Sequence, residues 1–286
     1  MNSRATVAPQ HKQRLKAHFG FTKIPFRKNL AAAQMFDSRS QRELHAGLMM
    51  WTEVRGIALV TGTSGVGKSI TLRRFIADLD ESRICVLKFS HLPTTPAGLL
   101  RSLCRQLSLP LRHHTADLFD AARNYLNTYQ QDRGPHPVLL LDDAEGLGVA
   151  AFDVLRRLTA YELDADDRFS LLLAGTDDVL RTLQHHDLEP LRSRISYPQP
   201  LRPFSLEDTR NYIRFHLQRA GVDKNLITDN AAARIFHASV GKPRSINQLS
   251  LFCLIQAAVA GIDTIDGDFA AAQIAAHPLF QNRQEA

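Results

Sequence analysis

Apolar runs of strand length alternate with amphipathic stretches between about residue 40 and residue 200. Residues 57–61, 138–141 and 169–174 are almost wholly apolar, and residues 84–89 form a similar run. Continuous apolar runs of this length are typical of strands buried on both faces of a parallel sheet. The intervening stretches have helical spacing, as at Leu44, Leu48 and Trp51. This half of the chain therefore predicts an α/β fold with a parallel sheet.

After Leu201 the pattern changes to helices with clear start and stop signals. A capping residue or proline begins each predicted helix, and a glycine ends it. The start and end signals are Ser205 and Gly221, Thr228 and Gly241, and Pro243 and Gly261, with a last helix after Asp266. We therefore predict three parts: a flexible basic arm over residues 1–18, an α/β core over 19–199 and an all-helical domain over 200–286.

A glycine-rich loop follows the first strand and fits the pattern G-x-x-x-x-G-K-[ST] over residues 62–69. Glycines let the backbone wrap a polyphosphate with its N–H groups pointing inward, and the helix that follows adds its positive end. In this motif Lys68 reaches the β- and γ-phosphates, and the Ser69 hydroxyl binds Mg²⁺. The sequence thus predicts a protein that binds a nucleoside triphosphate with Mg²⁺.

Two carboxylates follow the apolar run 138–141, at the strand end where parallel sheets bind ligands. Asp142 is the expected outer-sphere partner of Mg²⁺, and Asp143 is placed to orient or deprotonate the attacking water. The next strand ends at Gly175, and Thr176 is the candidate polar residue close to the γ-phosphate. An arginine in residues 191–195 is expected at the edge of the domain.

The composition of the chain restricts the class of protein more than it identifies a function. The 286 residues carry 35 Lys and Arg against 29 Asp and Glu, which gives a formal net charge of +6 and a pI near 9.4. This modest excess suits a polyanionic partner and an ordinary basic surface about equally. The three cysteines have no metal-site spacing, and the apolar run 249–262 is too short to cross a bilayer. A cytoplasmic bacterial protein without a membrane partner is expected.

Together these motifs resemble the AAA+ ATPases, and within them the ExeA-type group, which includes the TniB, TnsC and MuB-like ATPases of transposition. The resemblance covers about residues 18–276. It is carried by the lead-in 19–26, the P-loop, residues 141–145, residues 191–195, Tyr212-Ile213 with Ala220-Gly221, and residues 241–247. It implies a P-loop AAA+ three-layer αβα core, a helical lid domain, ATP and Mg²⁺ as cofactors, and a homo-oligomer that is a ring or a helical filament.

The resemblance also implies roles for single residues. Thr176 would be sensor 1, Arg194 the arginine finger that acts on a neighbouring subunit (with Arg192 as the alternative), and Arg244 sensor 2. Phosphate would be held by Gly62, Thr63, Ser64, Gly65, Val66, Gly67, Lys68, Ser69 and Ile70, and the metal by Ser69 and Asp142. One departure is notable: the usual glutamate of the second acidic motif is Asp143, so hydrolysis is expected to be slow, or assisted by Glu145.

Three functions fit these features. The first is an ATP-dependent regulator of DNA transposition that oligomerises on duplex DNA, selects a target and recruits or activates a transposase, with hydrolysis driving disassembly. Its candidate DNA contacts are Lys88, Thr94, Thr95, Arg112, His113 and His114. The second is an ExeA-type secretion ATPase module. Such a protein is expected to have a membrane span and a cell-wall-binding domain, and since neither is recognised in this sequence, the transposition function is favoured. A small-molecule kinase or nucleotidase is a third function, and it leaves Arg194 and Arg244 unexplained.

Overall fold

A computed structural model describes residues 7–27, 35–89, 92–129, 134–160 and 168–280, with side chains from residue 13 onward. The chain forms two compact units. Unit 1 contains the N-terminal segment up to Ser38, the loop residues Gly65–Gly67 and the chain from Arg202 onward. Unit 2 contains Arg39–Ser64 and Lys68–Leu201.

Unit 2 is built on a five-stranded parallel sheet with the strand order β2-β3-β4-β1-β5. The strands are β1 (Ile57–Thr61), β2 (Ile84–Phe89), β3 (His136–Leu141), β4 (Ser170–Gly175) and β5 (Ile195–Pro200). The central position of β1 and β4 explains their composition, since every residue of both strands is buried. The predicted parallel sheet is confirmed.

Both faces of the central strands are covered. One apolar cluster joins Ile57, Leu59, Leu139, Leu171 and their neighbours in register to three helices, α4 (Pro96–Gln106), α5 (Thr115–Tyr129) and α6 (Val149–Thr159). Successive side chains of a strand point to opposite faces of the sheet. The alternate residues of the same strands are also buried, so the second face is covered as well. The helices of unit 2 are α2 (Arg39–Val54), α3 (Lys68–Ala77), α4 (Pro96–Gln106), α5 (Thr115–Tyr129), α6 (Val149–Thr159), α7 (Asp178–Leu183) and α8 (Glu189–Arg192).

Unit 1 is helical. Its elements are α1 (Val7–Phe19), α9 (Leu206–Arg219), α10 (Asp229–Ser239), α11 (Pro243–Ala260) and α12 (Gly267–Ala276). The caps read from the sequence are present: Ser205 and Asp208 form a capping box, and the Thr228 hydroxyl accepts from the Ala231 N–H. Among the described residues, no helix is both long and apolar enough to cross a membrane.

The N-terminal segment differs from its prediction. A flexible arm was expected up to residue 18, but residues 7–19 form α1, and Leu15 and Phe19 are buried in the apolar cluster of unit 1. The lead-in, predicted to belong to the α/β core, also packs in unit 1 through Phe21 and Phe26. Aromatic side chains spaced along this segment supply the apolar area that anchors it. Residues 1–6 lie outside the described part.

His216 on α9 is buried among aromatic rings of unit 1. Its ring centroid lies 4.5 Å from that of Tyr212, 5.0 Å from that of Phe26 and 5.5 Å from that of Phe215. Within the described residues its buried Nε2 has no hydrogen-bond partner. Burial, with a smaller effect from the charge of Arg219, lowers the pKa of His216 to about 4. The folded protein therefore holds this imidazole neutral.

A pH-dependent loss of stability in unit 1 follows. The unfolded chain protonates His216 below its ordinary pKa of 6.5, whereas the folded chain resists protonation until pH falls to about 4. Stability is thus lost as pH falls through this window, by about 2 kcal/mol at pH 5. Between pH 7 and pH 5, the melting temperature should fall less for His216→Phe than for the parent. His237→Gln, which alters an exposed histidine of α10, should respond to pH as the parent does. An equal fall in all three proteins would show that His216 is not the source of the pH dependence.

Candidate nucleotide-binding site

The loop between β1 and α3 has the backbone that the glycine pattern predicts. Gly65 and Gly67 have φ values of +82° and +114°, a region that side-chain-bearing residues rarely adopt. The helix begins at Lys68, so the loop ends on the N-terminus of α3. A helix N-terminus with preceding glycines presents backbone N–H groups to an anion.

Lys68 is nearly buried, with 8% of its surface exposed. Its Nζ donates to the Gly62 carbonyl oxygen at 2.6 Å, which closes the loop around the ammonium group. Burial lowers the pKa of Lys68, and the negative charges of Glu145, Asp142, Asp143 and Asp177, in that order, oppose the shift. The loop therefore holds a cation facing a set of carboxylates.

Ser69, in the first turn of α3, lies next to Asp142, which directly follows β3. The Ser69 Oγ donates to Asp142 Oδ2 at 2.9 Å, although the residues are 73 positions apart. A serine hydroxyl and a carboxylate are hard oxygen donors of the kind that Mg²⁺ prefers, and Mg²⁺ usually keeps several waters besides. The predicted metal-binding pair is thus adjacent in space.

Asp143 occupies a left-handed backbone conformation, with φ 57° and ψ 41°. Aspartate and asparagine tolerate this region better than longer side chains, because a short polar group can bond locally. The Asp143 N–H donates to Asp142 Oδ1 at 3.1 Å. The Asp143 side chain is exposed, next in sequence to Asp142 of the predicted metal-binding pair. The backbone geometry offers a physical reason for the aspartate at this position.

Glu145 lies in a 3₁₀ turn, Ala144–Gly146, immediately after these carboxylates. Its Oε2 accepts the backbone N–H of Thr176 at 3.1 Å. The Thr176 Oγ1 in turn donates to Asp178 Oδ2 at 3.3 Å. Sequence reasoning missed the link between Glu145 and Thr176; the one available signal was Gly175 at the end of an otherwise bulky strand.

The two candidate arginine fingers bond to helix ends of their own chain. Arg194 Nη1 donates to the Arg156 carbonyl oxygen at 3.2 Å and contacts Thr159 Oγ1 at 3.5 Å, near the C-terminus of α6. Arg192 Nη1 donates to the Leu183 carbonyl oxygen at 3.3 Å, at the end of α7. Carbonyls in the last turn of a helix lack internal partners and attract cations. The trans role of Arg194 stays a prediction.

Arg244 is the second residue of α11 and belongs to unit 1 together with Gly65. The Arg244 N–H donates to the Gly65 carbonyl oxygen at 3.2 Å. A Cβ added to Gly65 would lie 2.9 Å from Arg244 Cβ, so the close approach requires glycine. The residue predicted as sensor 2 therefore contacts the tip of the phosphate loop.

The candidate DNA contacts lie near the end of β2, in the loop before α4 and in the connector before α5. The side chains of Lys88, Arg112, His113 and His114 are exposed, as is that of Thr94. Thr95 has a structural task, because its Oγ1 accepts from the Gly98 N–H as the N-cap of α4. Exposure is compatible with phosphate contacts, and DNA binding by these residues stays a prediction.

The loop and the strand ends fit a magnesium nucleotide. The Thr63 Oγ1 is buried without a hydrogen-bond partner in the described structure, and it sits in the loop that the motif assigns to phosphate. Backbone N–H groups of residues 62–70, the Lys68 ammonium and the Thr63 hydroxyl would hold the phosphates, whereas Ser69 and Asp142 would hold Mg²⁺. The ion would neutralise phosphate charge and polarise the phosphoryl group.

Comparison with known proteins finds a family match and a curated relative. Residues 52–183 match the family model described as AAA domain. General secretion pathway protein A of Aeromonas hydrophila is 30% identical over 247 residues, which is 85% of this chain but 45% of that protein. The chain thus spans less than half the length of this curated relative.

Solved structures share the fold at low identity. The ORC2 protein of Aeropyrum pernix aligns with a TM-score of 0.63 and 13% identity, over 87% of this chain and 70% of that chain. Cdc6p of Pyrobaculum aerophilum aligns with a TM-score of 0.58 and 17% identity, over 87% and 68% of the two chains. Residues 52–183 are thus similar to an AAA domain, and the described chain shares the α/β fold of these solved structures.

Proposed function

We propose that this chain is an ATPase that hydrolyses ATP to ADP and phosphate with Mg²⁺ and that assembles into a homo-oligomer when ATP is bound. The observation that carries this proposal is the 2.9 Å hydrogen bond between Ser69 and Asp142 at the foot of the glycine-rich loop. It joins the two motifs that a magnesium nucleotide site needs. The relative from Aeropyrum pernix, described in complexes with ADPNP and ADP, supports nucleotide binding by the shared fold.

Each residue has a defined task in hydrolysis. Lys68 and the loop N–H groups stabilise charge that develops on the transferred phosphoryl group. Asp143 orients or deprotonates the attacking water, and Thr176 contacts the γ-phosphate region. Arg194 supplies the finger to a neighbouring subunit once it leaves the end of its own α6. Because a single subunit's own site lacks this finger, hydrolysis is expected to be slow without a neighbour. The bond to the Arg156 carbonyl must also break before Arg194 can act.

We further propose that the ATP-bound assembly binds duplex DNA and regulates transposition by recruiting a transposase. Residues 84–116 contain no aspartate or glutamate, but they contain Lys88, Arg101, Arg105 and Arg112 together with three histidines. The four cationic side chains are all exposed. A long acid-free basic stretch on a surface favours a polyanion held through its phosphates. The link to transposition rests on the resemblance of the sequence motifs.

Retention on duplex DNA tests this proposal. The protein is measured with ATP, a non-hydrolysable analogue, ADP or no nucleotide, at low and high salt. Large assemblies on DNA are expected only with ATP or its analogue, and they should dissociate as salt rises. Arg112→Ala with His113→Ala should reduce the slope of log affinity against log salt by about 1 for each phosphate that the protein no longer binds.

A matched control alters the same residue types elsewhere. Arg234→Ala with His237→Ala removes an exposed arginine and histidine from α10 and should leave DNA retention and its salt slope unchanged. No DNA held in any nucleotide state would exclude the DNA function and leave the ATPase proposal intact.

A secretion role is the second candidate, and the similarity to general secretion pathway protein A favours it. In that case the ATPase module would act on a membrane or cell-wall partner, and ATP-dependent assembly would occur without DNA. Cytoplasmic location and the choice between ring and filament stay predictions under either function.

A further inference from the structure

The backbone ladder between β3 and β4 stops before β4 does. Its last pair is Leu141 with Leu173, whereas β4 continues beside β1 to the pair of Gly175 with Thr61. After Leu141 the chain leaves the sheet through Asp142 and Asp143 into the 3₁₀ turn. The Thr176 N–H, at the end of β4, therefore has no backbone acceptor from β3 and bonds to Glu145 Oε2 instead, at 3.1 Å.

The carboxylate is held closely in this position. A Cβ on Gly175 would lie 2.7 Å from Glu145 Oε2 and would also overlap Val179 Cγ2. Gly175 is buried, and the turn that carries Glu145 packs against β4 and α7. The absence of a side chain at residue 175 is thus what lets the Glu145 carboxylate reach the amide.

Thr176 is fixed through its side chain as well. Its hydroxyl donates to Asp178 Oδ2 at 3.3 Å, and the other oxygen of Asp178 accepts from Arg181 Nη1 at 2.6 Å. The amide and the hydroxyl of Thr176 are therefore both bonded to carboxylates. Of these two bonds, the one to Glu145 connects the end of β4 to the turn that follows Asp142 and Asp143.

We propose that Glu145 is a positioning residue that sets the place of Thr176 relative to Asp142 and Asp143, and that it does not activate water. Glu145 Oε2 accepts the Thr176 N–H, and the Glu145 side chain is half-buried. The Asp143 side chain, in contrast, is exposed. This inference rests on the proposed ATPase function. The inference adds to that function a division of roles, in which Asp143 orients water and Glu145 holds Thr176, the candidate sensor 1.

Two substitutions separate positioning from base catalysis. Glu145→Gln keeps an oxygen acceptor of the same reach for the Thr176 N–H and removes the basic carboxylate, whereas Glu145→Ala removes both. We expect Glu145→Gln to keep kcat close to that of the parent and Glu145→Ala to lower kcat about tenfold with little change in KM, because a displaced group costs rate at the chemical step. If Glu145 activates water, both variants should lose about 10²- to 10⁴-fold, and that result would overturn the proposal.

A second measurement does not depend on turnover. Hydrogen exchange of the segment containing Thr176, without nucleotide, should be slow in the parent and in Glu145→Gln and faster in Glu145→Ala. Asp143→Asn is the matched control, because it alters a neighbouring carboxylate that does not bond this amide, and it should exchange like the parent. Unchanged exchange in Glu145→Ala would refute the positioning role, whereas an inactive parent with the expected exchange pattern would refute only the ATPase proposal.

Discussion

Replacing Lys68 by methionine should lower ATP turnover by about 10²- to 10³-fold, because it removes the positive charge that we assign to stabilising the transferred phosphoryl group. The Lys68 Nζ already lies inside the loop, 2.6 Å from the Gly62 carbonyl oxygen. Nucleotide binding should weaken as well, since the ammonium interacts with bound and reacting phosphates alike. Steady-state hydrolysis and nucleotide titration measure the two effects.

The same substitution should leave thermal stability without nucleotide intact. The pKa of Lys68 is lowered, which means that burial outweighs the attraction of four nearby carboxylates, so the charged form gains nothing from folding. Methionine places an uncharged side chain, one atom shorter than lysine, in the same nearly buried position. Arg73→Met removes an exposed cation from the same helix and should hydrolyse ATP at the parental rate. Parental turnover in Lys68→Met would exclude the assigned role.

The sheet and the nucleotide loop were predictable because their sequences contain local signals. Uninterrupted apolar residues are required where a strand is covered on both faces, as at Ile57–Thr61. Glycine is required at Gly65, where φ is positive and the Arg244 side chain approaches through its Cβ. Likewise, Ser205 and Thr228 cap helices through bonds to residues three positions away, which spacing alone reveals.

Features set by distant contacts were not predictable in this way. The N-terminal segment appeared to be a solvated arm because its basic residues dominate, yet Leu15 and Phe19 are buried with residues of unit 1 more than 180 positions away. The bond between Glu145 and the Thr176 amide spans 31 positions and has no sequence signature of its own. Arg194 fits the position of a finger, but only the structure shows its bond to the end of α6.

The left-handed backbone at Asp143 joins a structural constraint to a chemical one. The proposed hydrolysis needs a carboxylate to orient water, and the turn needs a residue that tolerates φ 57°. Aspartate meets both needs, but its side chain is one methylene shorter than the glutamate that the sequence resemblance implies at this position. Stability and turnover should therefore respond in opposite directions to a longer carboxylate.

Asp143→Asn should lower turnover by about 10²- to 10⁴-fold, because it removes the group that we propose orients or deprotonates water. Its melting temperature should match that of the parent, since asparagine also adopts the left-handed region. Asp143→Glu should turn over faster than the parent and melt about 2–4 °C lower, which corresponds to a cost of about 1 kcal/mol for a longer side chain in this conformation. Hydrolysis rates and melting curves of the three proteins check both effects. Equal turnover in all three would remove Asp143 from the chemistry, and an unchanged melting temperature in Asp143→Glu would show that the backbone does not select the shorter side chain.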